Sequence, residues 1–447
     1  MMEAAALSLD DWADTQAQIS AVKMAESVSS TSLIKYRAPF GQTIRPVPGS
    51  IIAAIGSAGD ESEPDYFFHW LRDSAAVMDA GLVLIGAGIA PDVWSRYFAE
   101  FIRFSLDVSR ISGARFIAEH ADRVERTQPE FRQFLRPDAE LAAIEDYDKV
   151  LGDVRYNADG TIDFLKWSRP QHDGPAARAL TCLRFLAAGA VPDEVREEVA
   201  DLLRIDLDHT LRNAGALSVD IWEEENARHY YTVLAQCEAL HHGARWAEAR
   251  GEAAYAAELS GAADRLEPEL ERFWSPEKGF LLSRIMPPGE TTTKELDAAA
   301  ILGVLHSGRR EGPHSIGDER VAATLVKLEE LFAADYALNR EAGAGLALGR
   351  YKGDLYFSGG AYFFCTFGAA EFWYKLAAQK GGDAGLIAKA DAILAMARRS
   401  IPDTGEISEQ FDQTTGEQTS AKSLTWSYAS YLTCWHARKA ALASARS

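Results

Sequence analysis

Residues 226–250, NARHYYTVLAQCEALHHGARWAEAR, decide the architecture. Tyr230, Val233, Leu234, Cys237, Leu240 and Ala244 recur at the i, i+3, i+4, i+7 spacing of one buried helical stripe. The next segment, 251–273, is also helix-like but rich in Asp, Glu and Arg, as a helix facing solvent should be. An apolar helix followed by a charged one reads as a hairpin with an inner and an outer arm. The 3.6-residue period recurs in 9–27, 71–88, 92–110, 174–189, 192–213, 226–250, 251–273, 294–307, 317–336, 360–378, 383–400 and 421–442. Of these, 174–189, 360–378 and 421–442 are largely apolar, whereas 192–213 is charged like 251–273. Strand signals are confined to 279–284 and 50–54. The count exceeds a four-helix bundle, and no solenoid repeat is found. The expected fold is therefore all-α, an (α/α)6 barrel of six helical hairpins, with 1–447 forming a single domain.

The 447 residues carry a formal charge of −20. Such acidity repels phosphate backbones and anionic lipid, so nucleic acid and membrane partners are not expected, whereas a neutral ligand such as a sugar loses nothing. The longest apolar run, 80–90, is about half of what a membrane-spanning helix needs. The start, MMEAAALSLDD, lacks a basic segment followed by an apolar one, so no secretory signal is expected in the chain as given and the expected location is cytoplasmic, with secretion the alternative for a trimmed start. Cys182, Cys237, Cys365 and Cys434 lie far apart in apolar stretches and read as reduced, buried thiols. No metal is expected: no HExxH, CxxC or Cys/His ligand spacing occurs, and His241 and His242 are neighbours pointing different ways around a helix. No cofactor motif is found, and oligomeric state is open, with a monomer compatible.

Function should sit in the long loops 28–70, 114–173, 214–225, 274–293, 337–359 and 401–420. The first polar–aromatic cluster is DYFFHWLRDS (65–74), where Tyr66 and Trp70 suit a pyranose face and Arg72 and Asp73 its hydroxyls; an N-cap at Asp73 or Ser74 is the plainer reading. In WSRPQHDGPAAR (167–178), Pro175 explains a helix start, but Trp167, Arg169 and Gln171 remain unexplained. DIWEEEN (220–226) sets Asp220, Glu223, Glu224 and Glu225 around Trp222. These acids either complement a helix dipole or, by crowding beside an apolar ring, raise one carboxyl pKa enough to make a general acid. The fourth cluster is GRYKGDLYFSGG (349–360), with Arg350 and Asp354, whose glycine spacing does not fit a phosphate loop. EISEQFD (406–412) supplies Glu409, a candidate second carboxylate. Two carboxylates, aromatic platforms and no cofactor motif favour glycoside hydrolysis, which needs one proton donor and one base or nucleophile.

In combination these strings resemble the glucoamylase family, glycoside hydrolase family 15, in its fungal-type catalytic domains. The resemblance is carried by DYFxxWxRDS (65–74), RPQxDGPA (169–176), DxWEE with Asn226 (220–226), GRY (349–351), SEQFD (408–412) and GEQxSAxxLTWSY (416–428), in the family's order. It implies an (α/α)6 barrel and an inverting exo-hydrolase that releases β-D-glucose from the non-reducing ends of α-1,4-linked glucans. By the same resemblance Glu223 is the general acid and Glu409 the general base. Tyr66, Trp70, Arg72, Asp73, Trp167, Asp220, Trp222, Glu224 and Arg350 bind substrate, and Arg72 and Asp73 close the pocket around the terminal sugar. No starch-binding module and no N-terminal β-sandwich are expected. Three departures stand out: Glu225 replaces an apolar residue, Lys352-Gly353 a Pro-Glu pair, and Gly360-Ala-Tyr362 an Asn-Pro-Trp string. They leave α-1,6 glucosides or trehalose as alternative substrates of the same chemistry. A phosphorylase or a non-catalytic sugar-binding protein is disfavoured, because neither needs both Glu223 and Glu409.

Overall fold

A computed structural model describes residues 7–58, 63–340 and 345–446. The first six residues, read above for a leader, lie outside the described part. Twelve long helices alternate between two rings. The outer ones are α1 (Leu9–Ala25), α3 (Pro91–Ser109), α5 (Arg196–Arg212), α7 (Ala253–Glu271), α9 (Glu319–Asp335) and α11 (Ala384–Arg398). The inner ones are α2 (Leu71–Gly86), α4 (Asp173–Ala187), α6 (Tyr230–Ala249), α8 (Ala299–Ser307), α10 (Phe363–Gln379) and α12 (Thr425–Ser444). Helix α2 packs on α4, α4 on α6, α6 on α8, α8 on α10 and α10 on α12, which closes back on α2. Each outer helix lies against an inner neighbour, α1 closing on α12. This is the (α/α)6 barrel.

Burial explains the two rings. Helix α7 buries only Leu259, Ala262, Ala263, Leu266 and Leu270, one stripe along its length. By contrast α10 buries Phe363, Phe364, Phe367, Phe372, Trp373 and Tyr374 on several faces. A helix apolar all round has to be enclosed. Close approach is local and specific: a Cβ on Gly174 would stand 2.7 Å from the Leu71 Cβ, so glycine lets the starts of α4 and α2 meet.

Several boundaries move. Helix α6 begins at Tyr230 rather than 226, because Asn226–His229 pairs as a strand with Ser218–Val219 and with Arg284–Ile285. Helix α8 begins at Ala299 rather than 294, where Asp297 accepts the Ala299 N–H at 2.7 Å. The expected strand at 50–54 is only two isolated bridges, Val28 to Ile51 and Ala54 to Leu424. The one at 279–284 splits into Phe280–Leu281 and Arg284–Ile285. The long segment 114–173 holds short helices at Gly113–Glu119, Arg123–Arg126 and Asp138–Ala142, and a small core around Phe116, Leu141, Val150 and Phe164. Its strand Arg155–Asn157 pairs with Phe68–Trp70, which sets the entrance to α2. No helix among the described residues is long and apolar enough to cross a membrane.

Candidate active site

The inner helices present their N-terminal ends to one end of the barrel, and the loops leading into them enclose a cavity of about 590 Å³. Tyr66, Trp70, Arg72, Asp73, Trp167, Trp222, Glu223, Glu224, Arg350 and Glu409 all line it. Trp70 precedes the first turn of α2 and Asp73 lies in that turn, Tyr362 precedes α10, and Leu424 precedes α12. Helix N-termini carry partial positive charge, so this end of the barrel favours carboxylates.

Glu223 sits on a turn with φ +67°, a left-handed conformation uncommon outside glycine, and its N–H is held by the Asp220 carbonyl at 2.9 Å. The indole N–H of Trp70 donates to Oε1 at 2.7 Å, the Gln171 amide donates to the same oxygen at 3.2 Å, and the Trp167 indole donates to Oε2. Gln171, unexplained by sequence, thus belongs to the machinery; its carbonyl also accepts from Arg72 at 3.0 Å. Arg72 is fixed further by Asp173 at 2.9 Å and lies 3.5 Å from Asp73. The Asp73 Oδ2 and the Trp426 indole nitrogen are buried with no hydrogen-bond partner within the protein, although both residues line the cavity. Burial pushes the Asp73 carboxyl up to about 6, against the pull of Arg72 and with Glu223 adding to the rise.

Glu409 enters from the other side, beside the ribbon in which Gln410–Phe411 pairs with Ala361–Tyr362 and Gln418–Thr419. Its N–H donates to the Ala421 carbonyl at 2.8 Å, and its side chain accepts from the Ser420 hydroxyl. Burial raises its pKa to about 7, while the Ser420 hydrogen bond and Arg350 pull it down.

Glu224 is clamped by Lys294 at 2.6 Å, Arg350 at 3.1 Å and the Tyr351 hydroxyl at 2.7 Å. Arg350 is itself held by Asp354, with Nε and Nη2 each donating at 2.7 Å. The Trp222 indole N–H donates to Asp297, which fixes the ring in the cavity lining.

Two expectations are corrected. Asp220 does not line the cavity: its Oδ1 accepts the N–H groups of Glu224 and Glu225 at 2.7 and 3.0 Å, so it builds the turn on which Glu223 stands. The crowding of carboxylates around Glu223 is also defused. Arg284 binds Glu225 at 2.8 Å and stands 3.3 Å from Asp220, so the Glu225 charge is paired rather than left free beside Glu223. His172 faces His209 at 3.2 Å, and Arg169, left unexplained by sequence, is tied to Asp153 and Asp163 as scaffolding.

Sequence reading missed Tyr356, Tyr362, Phe364 and Trp426 as wall residues. The Tyr356 hydroxyl meets that of Tyr66 at 2.7 Å, and Gln410 donates to the Tyr362 hydroxyl at 2.8 Å. Tyr356, Tyr362 and Trp426 fall inside quoted strings, but nothing in spacing told a wall aromatic from a core one.

Residues 37–436 match the model for glycosyl hydrolases family 15. The chain is similar to a glucoamylase of Blastobotrys adeninivorans, at 28% identity over 88% of this chain and 68% of that protein. It is also similar to a probable glucoamylase of Schizosaccharomyces pombe, at 28% identity over 97% and 92%. Among solved structures, a glucoamylase from Saccharomycopsis fibuligera superposes with a TM-score of 0.77 at 23% identity, over 98% of this chain and 96% of that one.

Proposed function

We infer that the chain, which belongs to glycosyl hydrolases family 15, works as an inverting glucan 1,4-α-glucosidase in which Glu223 is the general acid and Glu409 the general base. It is an exo-acting hydrolase that releases glucose from starch-type glucans. The observation that carries the assignment of roles is that Glu223 and Glu409 line one cavity yet arise from loops 186 positions apart in sequence.

The terminal glucose enters between Tyr66, Trp70 and Trp426, with Arg72 and Asp73 taking its hydroxyls. Protonated Glu223 donates to the glycosidic oxygen as the C1–O bond breaks and positive charge develops on the sugar. The N–H groups of Trp70, Trp167 and Gln171 already point at the negative charge that Glu223 acquires, so no reorganisation is needed at that moment. Ionised Glu409 removes a proton from the water that attacks C1 from the opposite face. A base whose pKa is about 7 is well matched to neutral conditions, since it is both available and basic. Glu224, Arg350 and Trp222 then contact the leaving sugar, and Asp354 and Tyr351 position Arg350 and Glu224.

The test is NMR of the first anomer released from maltotriose. β-Glucose appearing before mutarotation is expected; α-glucose would remove Glu409 from the role of base. Parallel rates on maltose, isomaltose and trehalose rank the alternative linkages.

A further inference from the structure

Away from the cavity, α6 and α7 bring together three groups whose chemistry suits a soft divalent cation. Cys237 and His241 are four residues apart, so they share one face of α6, and Glu267 meets them from α7. The Cys237 Sγ lies 3.4 Å from Glu267 Oε1, and His241 Nε2 lies 3.1 Å from the same oxygen. All three ligand atoms fall within 4.8 Å of one another. Zinc bonds of ~2.3 Å to sulfur and ~2.0–2.2 Å to nitrogen and oxygen put tetrahedral ligand atoms roughly 3.3–3.6 Å apart, close to the two separations from Glu267 Oε1. His241 and Glu267 border a solvent-open hollow of about 840 Å³, while Cys237 is buried behind them.

We propose that Cys237, His241 and Glu267 bind one thiophilic divalent cation, typified by Zn²⁺, with a water from the hollow as fourth ligand. This revises the expectation of no metal, which rested on spacing along the chain and could not count a ligand from a second helix. His241 turns toward Glu267, whereas His242 turns toward Glu238 at 3.7 Å.

Arg309 guards the site. Its Nη2 donates to Glu267 Oε1 at 2.7 Å and to the Cys237 Sγ at 3.4 Å, its Nη1 to Glu267 Oε2 at 3.1 Å, and its Nε to Glu238 at 2.8 Å. An arriving cation takes Oε1 and Sγ. Arg309 gives up those two bonds and keeps Glu238 and Oε2, so the guanidinium shifts without leaving. A cysteine thiol carries its proton at neutral pH, and a metal takes the thiolate. Binding therefore breaks the S–H bond and sends one proton to solvent, with no change in oxidation state.

The experiment is titration of the chelator-treated full chain with Co²⁺. One equivalent should give a thiolate-to-cobalt charge-transfer band, which Zn²⁺ then displaces. Calorimetry in two buffers of different ionisation enthalpy should report one proton released per ion. Cys237→Ser should abolish the band, His241→Gln should weaken affinity at least tenfold, and Arg309→Met should tighten it, with circular dichroism checking the fold of each. No band in the unmutated chain, or a band that survives Cys237→Ser or is unmoved by His241→Gln, overturns the site. Unchanged affinity in Arg309→Met overturns the guarding role.

Discussion

Glu223 stands on a left-handed turn and receives N–H groups from Trp70, Trp167 and Gln171, whereas Glu409 flanks a short ribbon and receives one hydroxyl, from Ser420. The first stretch, 220–226, spends most of its charge on construction. Asp220 ties the turn, Arg284 takes Glu225, and Lys294 and Arg350 take Glu224, whereas the oxygens of Glu223 face the neutral indole and amide N–H groups of Trp70, Trp167 and Gln171. The second stretch, 406–424, buries its carboxyl with the Ser420 hydroxyl as hydrogen-bond donor and Arg350 as the nearby positive charge. One side is prepared for a charge that appears during the reaction; the other makes its own charge costly until water is at hand. Two identical side chains acquire different tasks through their neighbours.

That contrast is open to direct attack. The largest expected effect is on turnover: Glu223→Gln and Glu409→Gln should each lower kcat on maltose by about 10²–10⁴-fold. The sharper comparison uses α-glucosyl fluoride, whose leaving group needs no proton. Glu223→Gln should retain much of its hydrolysis and Glu409→Gln should not; equal losses would erase the distinction between the two roles.

Next comes stability. Glu409 has a folded pKa of about 7 against an ordinary 4.5, so the folded chain binds its proton more tightly than the unfolded one. Stability from this group is full below pH 4.5 and declines as pH rises toward 7, reaching a cost of about 3 kcal/mol at pH 8. Glu409→Gln should therefore raise Tm relative to the parent at pH 8, with little difference at pH 4; a gain of equal size at both would refute the burial argument.

A smaller effect is expected from Trp70→Phe, which keeps an aromatic ring, though a smaller one, and deletes one N–H aimed at Glu223. Loss of a charge-assisted hydrogen bond of about 1.5–3 kcal/mol should lower kcat some 10–100-fold with KM little changed. A rise in KM alone would make Trp70 a sugar platform only. Smallest is Ser420→Ala. Its hydroxyl pulls the Glu409 pKa down, so its removal should move the acid limb of the kcat/KM profile to higher pH, by about half a unit to one unit. A shift to lower pH would mean that Ser420 acts otherwise.

The ring of helices was legible because enclosure leaves a mark on every turn. Segments 174–189, 360–378 and 421–442 are too apolar to meet solvent, and all three are inner helices. Starts were less legible where a loop partner decides them: Asn226–His229 carries helix-compatible residues but finds strands on both sides. Within the site, Glu223, Glu409, Arg72, Asp73, Trp70, Trp167 and Trp222 could be singled out because polar and aromatic groups cluster at helix entrances, while the separate roles of the two glutamates rested on the family resemblance. Asp220 could not be assigned from the same cluster, since which carboxylate turns inward depends on Arg284, about sixty residues on.

Sequence by itself determined the alternation of apolar and charged helices and the residue types gathered in the loops between them, because periodicity and composition are local properties. Only tertiary structure decided which acids face the cavity, which are neutralised behind it, and that Cys237, His241, Glu267 and Arg309 meet. Those outcomes depend on burial and on partners far away in the chain, and electrostatic energies follow distance in space rather than along the backbone.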